Sequence, residues 1–341
     1  MKQLFDPGKP HLAISVWIYD QKWNRKETPP PLPQTPLHYA ASWGLDSVVE
    51  FLIIEHSQDV CSRDSTDNAI PLHLASRNGH MEASCKLIDR GADLTAQTND
   101  GSTPLHLASQ KGQVDVSRML IERGADLTAK TNGGSTPLHL ALQMGQVDVA
   151  RMLIEHSADL TAQNIFESTP LHLALQLGHV DVARMLIEHG ADLTAQNNHE
   201  STPLHLALQL GHVDAAHMLI ERGADPTAQL RDGSTPLHLA SYLGQVDVAR
   251  MLIERGVDLE AQNHHGETPL HWASAPSVRA RRSPHKCAEV VRMLLEHGAN
   301  VNARNKNGFI PFALALQSGL AEITHILVQY GADSGAHDKA N

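Results

Sequence analysis

The sequence predicts an all-α solenoid built from stacked pairs of short helices. The first observation is a period of 33 residues that runs through most of the 341-residue chain. The second is the tetrad Thr-Pro-Leu-His at the start of each repeat, which joins a good helix N-cap to a proline suited to the first helical position. Because one such repeat cannot bury its apolar stripe alone, neighbouring repeats must stack to form a core.

The tetrads define nine repeats in register. Intact copies begin at Thr35, Thr103, Thr136, Thr169, Thr202, Thr235 and Thr268, and degraded copies begin at Ile70 and Ile310. A single tetrad has little weight, but nine at nearly constant spacing predict a repeat architecture.

The elements within a repeat follow in order from Thr136. This residue caps the first helix, Pro137 opens it, and apolar residues then recur at helical spacing. Gly145 ends the helix in the left-handed conformation that glycine tolerates best. A second helix is predicted over about residues 147–156, with its own apolar stripe. Residues 158–168 are too polar and too short for a third helix.

A 33-residue period opened by Thr-Pro-Leu-His resembles the ankyrin repeat from about residue 35 onward. The resemblance implies that the polar segment forms an extended finger, which turns at its tip as at Asn99-Asp100-Gly101. It also implies that each tetrad histidine bonds around the N-cap and to the neighbouring finger. In this family the finger tips and first helices bind a protein partner.

Residues 1–34 precede the array of residues 35–341 and end in a proline-rich run. We expect an N-terminal capping segment followed by a stiff linker. The alternative is that the prolines bind an aromatic-lined groove of another protein. The stretch FDPGKPHLAISVWIYDQKW, followed by TPLHYAA and FLIIEHSQDV, resembles the junction before ankyrin arrays in large fungal NACHT-type ATPases. The chain contains no Gly-Xaa4-Gly-Lys-Ser/Thr phosphate loop, so NTPase activity is not implied.

The eighth repeat has nine additional residues, which fall within about 275–287. This insertion contains a basic cluster, formed by Arg279, Arg281, Arg282 and Lys286. We expect a solvated surface loop, because insertions are tolerated where helices turn. The alternative is a switch in which Ser283 is phosphorylated and the phosphate offsets the local positive charge.

Composition argues against several classes of function. The formal net charge of −11 disfavours nucleic acid as a partner, because phosphate binding requires a basic face. Cys61, Cys85 and Cys287 are odd in number and widely spaced, which favours a reducing, cytoplasmic setting. No apolar run approaches the roughly 18 residues of a membrane span. We expect an intracellular monomer that binds no cofactor.

The 23 histidines do not indicate an enzyme. Eight occupy the same tetrad position, as expected of a structural role. His199, Asp232 and His265 recur at equivalent finger tips, but stacked repeats lie about 10 Å apart and zinc needs ligands about 2.1 Å from one centre. The sequence therefore predicts neither a metal site nor a catalytic site.

The copies differ mainly at the finger tips, where partner choice would reside. Ile165-Phe166 is the strongest candidate, because apolar residues on an exposed turn often anchor an interface. The alternatives are that both side chains fold back onto a neighbouring finger, or that the copies have drifted without a selected partner. The predicted partner-binding residues are Asn99, Asp100, Asn132, Ile165, Phe166, Asn198, His199, Arg231, Asp232, His264 and His265 at the tips, with Met144, Leu177, Leu210 and Tyr242 on first helices.

These observations predict a non-catalytic scaffold that binds a protein partner. The alternative is a recognition or sensor arm of a larger NTPase-type receptor, or an adaptor subunit of an enzyme complex.

Overall fold

The computed structural model describes residues 34–276 and 284–334. All regular secondary structure in these ranges is α-helical, and eighteen helices form nine consecutive pairs. The predicted all-α repeat fold is confirmed. The chain divides into two compact halves, Met1–Ile165 and Phe166–Asn341. The proposed cap and linker, apart from residue 34, and the proposed phosphorylation site Ser283 lie outside the described residues.

The N-terminal half contains four helix pairs. Their bounds are α1 Pro36–Ser42, α2 Asp46–Ile54, α3 Pro71–Asn78, α4 Met81–Asp89, α5 Pro104–Lys111, α6 Val114–Glu122, α7 Pro137–Gln143 and α8 Val147–Glu155. Each helix packs against the other member of its pair and against its equivalent in the next repeat of this half.

The C-terminal half contains five pairs built in the same way. Their bounds are α9 Pro170–Gln176, α10 Val180–Glu188, α11 Pro203–Leu210, α12 Val213–Glu221, α13 Pro236–Leu243, α14 Val246–Glu254, α15 Pro269–Ser274, α16 Pro284–Glu296, α17 Pro311–Gln317 and α18 Ala321–Gln329.

The first helices begin where local chemistry dictates, at the proline after the capping residue. In α5 the Thr103 hydroxyl accepts the His106 backbone N–H at 3.4 Å, and the Thr103 N–H donates to His106 Nδ1 at 3.2 Å. This reciprocal pair is a capping box in which histidine replaces the usual Glu or Gln. Two of the backbone N–H groups left open at the helix start are thereby satisfied.

The core consists of leucines and alanines from the two inner helix faces. Leu138, Leu142 and Leu153 are each 1% exposed or less. Burying a leucine side chain of this kind contributes about 1.5–3 kcal/mol. The small alanines between them, such as Ala141 at 0% exposed, allow adjacent helices to approach closely.

Two boundaries differ from the predicted ones. The second helix of the fourth repeat ends at Glu155, and His156 is its C-cap. More informatively, α16 begins at Pro284 and is 13 residues long, four more than α14. Residues 284–287 of the insertion are therefore an additional helical turn, so the loop is shorter than residues 275–287. The turn is retained because Cys287 packs at 0% exposure in the core.

Candidate partner-binding surface

The fingers are positioned by the tetrad histidines. The Ile70 N–H donates to Nδ1 of His73 at 3.1 Å, and Nε2 of the same ring lies 3.1 Å from the Ser102 carbonyl oxygen on the next finger. Burial lowers the pKa of His73 to about 4, so the ring is neutral at physiological pH and the proton resides on Nε2. The same bond to the next finger is made by His38, His106, His172, His238 and His271.

Backbone hydrogen bonds connect successive finger tips within the N-terminal half. The Asn99 N–H donates to the Asp67 carbonyl at 2.8 Å, and the Asn132 N–H donates to the Asp100 carbonyl at 2.8 Å. The Ile165 N–H donates to the Gly133 carbonyl at 3.0 Å. The predicted tip residues of this half therefore form one continuous edge.

The C-terminal half repeats this arrangement. The Asn198 N–H donates to the Phe166 carbonyl at 3.1 Å, and the His264 N–H donates to the Asp232 carbonyl at 2.7 Å. A bond of 2.9 Å from the Lys306 N–H to the His265 carbonyl extends the edge by one repeat.

Three predicted tip side chains in the N-terminal half already have structural partners. Nδ2 of Asn99 donates to the Thr66 carbonyl at 3.4 Å. Nδ2 of Asn132 donates to the Asn99 carbonyl at 2.9 Å. The Asp100 carboxylate accepts the backbone N–H of Ser102 at 3.1 Å and its hydroxyl at 3.0 Å. Burial opposes ionisation of Asp100, but hydrogen bonds from Thr98 and Ser102 outweigh it and hold its pKa below the usual value. These side chains shape their fingers.

Ile165 and Phe166 are exposed, as a docking role requires. Ile165 is 65% exposed at the end of the N-terminal half, and Phe166 is 55% exposed at the start of the C-terminal half. The next residue, Glu167, has a φ of 56° where the equivalent residue of the preceding finger is Gly134. A left-handed non-glycine residue costs about 1–2 kcal/mol, so this finger contains strain as well as exposed apolar surface.

The C-terminal half has an open cavity of about 650 Å³ beneath the finger tips. Five of the predicted site residues line it, namely His199, Arg231, Asp232, His264 and His265. Leu206 and Gln209 of α11 form part of its wall. The structure thus brings together tip residues from three successive fingers, 32 or more positions apart from one finger to the next, with the first helix beside them.

The charged groups around this cavity are specifically paired. Nε of Arg231 lies 3.1 Å from Oε1 of Glu200, and the Arg231 side chain is 73% exposed. The Asp232 carboxylate accepts the Ser234 backbone N–H at 3.0 Å. The carboxylates are therefore engaged within the fingers, while much of the guanidinium faces solvent.

The apolar residues predicted at the ends of first helices are exposed to differing degrees. Met144 is 52% exposed in the N-terminal half, and Leu177 and Leu210 are 45% and 38% exposed in the C-terminal half. Tyr242, at 37%, makes an edge-to-face contact with Trp272, with ring centroids 5.3 Å apart. Tyr242 thus has less free surface than its position suggests.

Sequence reasoning did not single out several residues of this surface, including Ser201 and Leu230, which line the cavity. Leu206 and Gln209 line the cavity, but they lie at positions that other repeats also fill with Leu and Gln. Trp272 stands where the six repeats before it have leucine, a departure that could have been noticed. Its indole N–H donates to Glu267 at 2.9 Å and so joins a first helix to its finger.

Residues 34–276 and 284–334 contain no group of three or more His, Cys, Asp or Glu side chains able to hold a metal ion. None of the helices in these ranges combines the length and the apolar character that crossing a bilayer requires.

Comparison with known proteins agrees with the fold. Family models described as "Ankyrin repeats (3 copies)" match residues 14–98, 72–164 and 157–229. A model for "Ankyrin repeats (many copies)" matches residues 211–273, and one for "Ankyrin repeat" matches residues 265–306. No curated protein matched the chain. Tandem matches over most of the chain, together with the helix pairs and fingers, show that it belongs to the ankyrin-repeat family.

Proposed function

We propose that this chain is a non-catalytic scaffold that binds a protein partner through its finger tips and first helices. The observation that supports this most strongly is the cavity of about 650 Å³ in the C-terminal half. Its wall combines exposed tip side chains that vary between repeats with part of a first helix. A surface of this kind can distinguish partners because its lining residues are not required by the core.

Apolar anchors support the same function. Phe166 and Leu177 are 55% and 45% exposed, although Ser168 and Leu175, each two positions away, are buried. Aromatic and aliphatic side chains of this kind supply much of the binding energy in protein interfaces. We propose that Ile165 acts in the same way from the N-terminal half, where it is 65% exposed.

The test is affinity capture with the full chain as bait, followed by mass spectrometry of the retained proteins. The site variant carries Phe166→Ser, Arg231→Ser and His264→Ser. The control variant carries Arg184→Ser and Arg292→Ser, two exposed residues on second helices. We expect a protein that is retained by the parent and by the control variant but lost with the site variant.

Retention of the same proteins by all three baits would refute the proposed surface. If none of the three baits retained a protein above background, the scaffold function would be refuted. Circular dichroism of each bait establishes that the substitutions leave the helices intact.

The alternative function is a recognition arm of an NTPase-type receptor or an adaptor subunit of an enzyme. It uses the same surface and differs in what else the captured complex contains. Co-purification of an NTPase that remains bound to the site variant would favour this alternative, because the NTPase would then be attached outside the proposed partner-binding surface.

A further inference from the structure

Five exposed basic side chains follow one another along the finger edge of the C-terminal half. They are His199, Arg231, His264, His265 and Lys306, here called the basic tip row. The backbone bonds from His264 to Asp232 and from Lys306 to His265, 2.7 and 2.9 Å long, hold three successive tips of this row in sequence. In a chain whose formal net charge is −11 with neutral histidines, Arg231 and Lys306 give this row two positive charges, and the three imidazoles add further N–H donors.

The carboxylates close to the row already accept hydrogen bonds from groups of the protein. Glu200 is paired with Arg231 at 3.1 Å, and Asp232 accepts the Ser234 N–H at 3.0 Å. Glu267 accepts the Trp272 indole N–H at 2.9 Å. The donors of the row are less constrained, because the three imidazoles make no hydrogen bond to a described residue.

We propose that the basic tip row binds an extended acidic segment of a protein partner. The donors are imidazole, guanidinium and ammonium N–H groups, which are suited to carboxylates. Helices of neighbouring repeats pack about 8–10 Å apart, and an extended chain advances about 3.3 Å per residue. An acidic residue at every third position therefore meets successive tips.

The cavity beneath the row accommodates the residues between the acidic ones. Leu206 and Leu230 contribute apolar surface to its wall, and Gln209 contributes an amide. A nucleic acid fits this surface less well, because a polyanion requires a broad basic face and would extend over the acidic remainder of the chain. The specific ligand is therefore a short protein segment. This inference rests on the proposed scaffold function.

The test measures binding of fluorescent peptides to the full chain by anisotropy. The first peptide has Glu at every third position, separated by Gly and Ser, over about ten residues, a length that spans the row. A second peptide of identical composition has its Glu residues in one block, and a third replaces each Glu of the first by Lys. A single-stranded oligothymidine of similar length tests the nucleic-acid alternative.

We expect the spaced acidic peptide to bind about tenfold more tightly than the block peptide, because each exposed charged contact in register multiplies the affinity by about two. The lysine peptide should not bind. The variant Arg231→Ser, His264→Ser, Lys306→Ser should lose the preference, and the control Arg184→Ser, Arg292→Ser should keep it. A variant with His199→Lys and His265→Lys should bind the spaced peptide more tightly than the parent.

Equal affinity for the spaced and block peptides would overturn the inference, as would undiminished binding by the triple variant. Tighter binding of the oligothymidine, lost in the same triple variant, would overturn it in favour of nucleic acid. None of these results alters the capture of proteins by the full chain, so failure here is distinguishable from failure of the scaffold function. The gain expected from the lysine variant cannot arise from misfolding.

Discussion

Acidification from about pH 8 to about pH 5 should destabilise this protein through its tetrad histidines. Nδ1 of His73 accepts the Ile70 N–H at 3.1 Å, and Nδ1 of His205 accepts the Thr202 N–H at 3.3 Å. A proton added to either ring converts this acceptor into a donor that faces another donor. Burial accordingly lowers the pKa of both histidines to about 4.

The size of the effect follows from proton linkage. An unfolded histidine has a pKa of about 6.5, so the unfolded chain binds more protons than the folded chain between about pH 6.5 and 4. The stability contributed by each ring is complete above that range and is lost as the pH falls through it. At about pH 5 the loss of unfolding free energy is about 2 kcal/mol for each of His73 and His205. Burial also lowers the pKa of the tetrad histidines His38, His106, His172, His238 and His271.

The assay is urea unfolding followed by circular dichroism at both pH values, for the parent and for His73→Asn. Asparagine places an oxygen near the position of Nδ1 but does not titrate. We expect the variant to be less stable than the parent at pH 8 by about 1–2 kcal/mol, because it loses the bond to the Ser102 carbonyl. On acidification the unfolding free energy of the variant should fall by about 2 kcal/mol less than that of the parent. His285→Asn, at an exposed position, is the matched control and should lose as much as the parent.

An equal loss of unfolding free energy in the parent and in His73→Asn would refute the reasoning, because it would mean that protonation of this ring does not drive acid destabilisation. A reduced loss in the His285→Asn control would also refute it, since that change removes only an exposed ring.

Three further predictions concern stability, and urea unfolding checks each of them. Ser157, with a φ of 62°, stands where a later repeat has Gly190, so Ser157→Gly should stabilise the chain by about 1 kcal/mol and Gly190→Ser should destabilise it similarly. A destabilising Ser157→Gly or a stabilising Gly190→Ser would contradict the backbone strain. Leu175→Ala should cost about 2–5 kcal/mol because the side chain is 0% exposed, whereas Leu177→Ala, at 45% exposed, should cost less than about 1 kcal/mol; equal costs would mean that the assignment of inner and outer faces is wrong. Trp272→Phe should cost about 1 kcal/mol because it removes the indole hydrogen bond to a finger carboxylate, and an unchanged midpoint would show that this bond is not important for stability.

Local chemistry explains why so much of the repeat could be predicted. A residue such as Thr136 followed by Pro137 specifies a helix start through its own side chain and its own φ, independently of the rest of the fold. The second helix of that repeat was misplaced by one residue, at His156, because helix ends depend weakly on sequence. The additional turn at residues 284–287 was not predicted, since what retains it is the burial of Cys287 against other elements.

The candidate surface was only partly predictable for the same reason. Variation between copies directed attention to the finger tips, but it did not distinguish Asn132, whose amide bonds to a neighbouring finger, from the exposed His264. That difference depends on contacts between residues about one repeat apart. Pairings of this kind are visible only when the repeats are stacked.

By itself the sequence determined the all-α repeat class, the number of repeats and the starts of the first helices, because periodicity and capping act over a few neighbouring residues. The bonds of the tetrad histidines were implied by the resemblance to the ankyrin repeat. Only the tertiary structure decided which tip side chains shape the fingers, which carboxylates are hydrogen-bonded within them, and that Arg231 and the tip histidines border one cavity with α11. Stacking decides these features, since it brings together groups from different repeats and buries some of them while leaving others exposed.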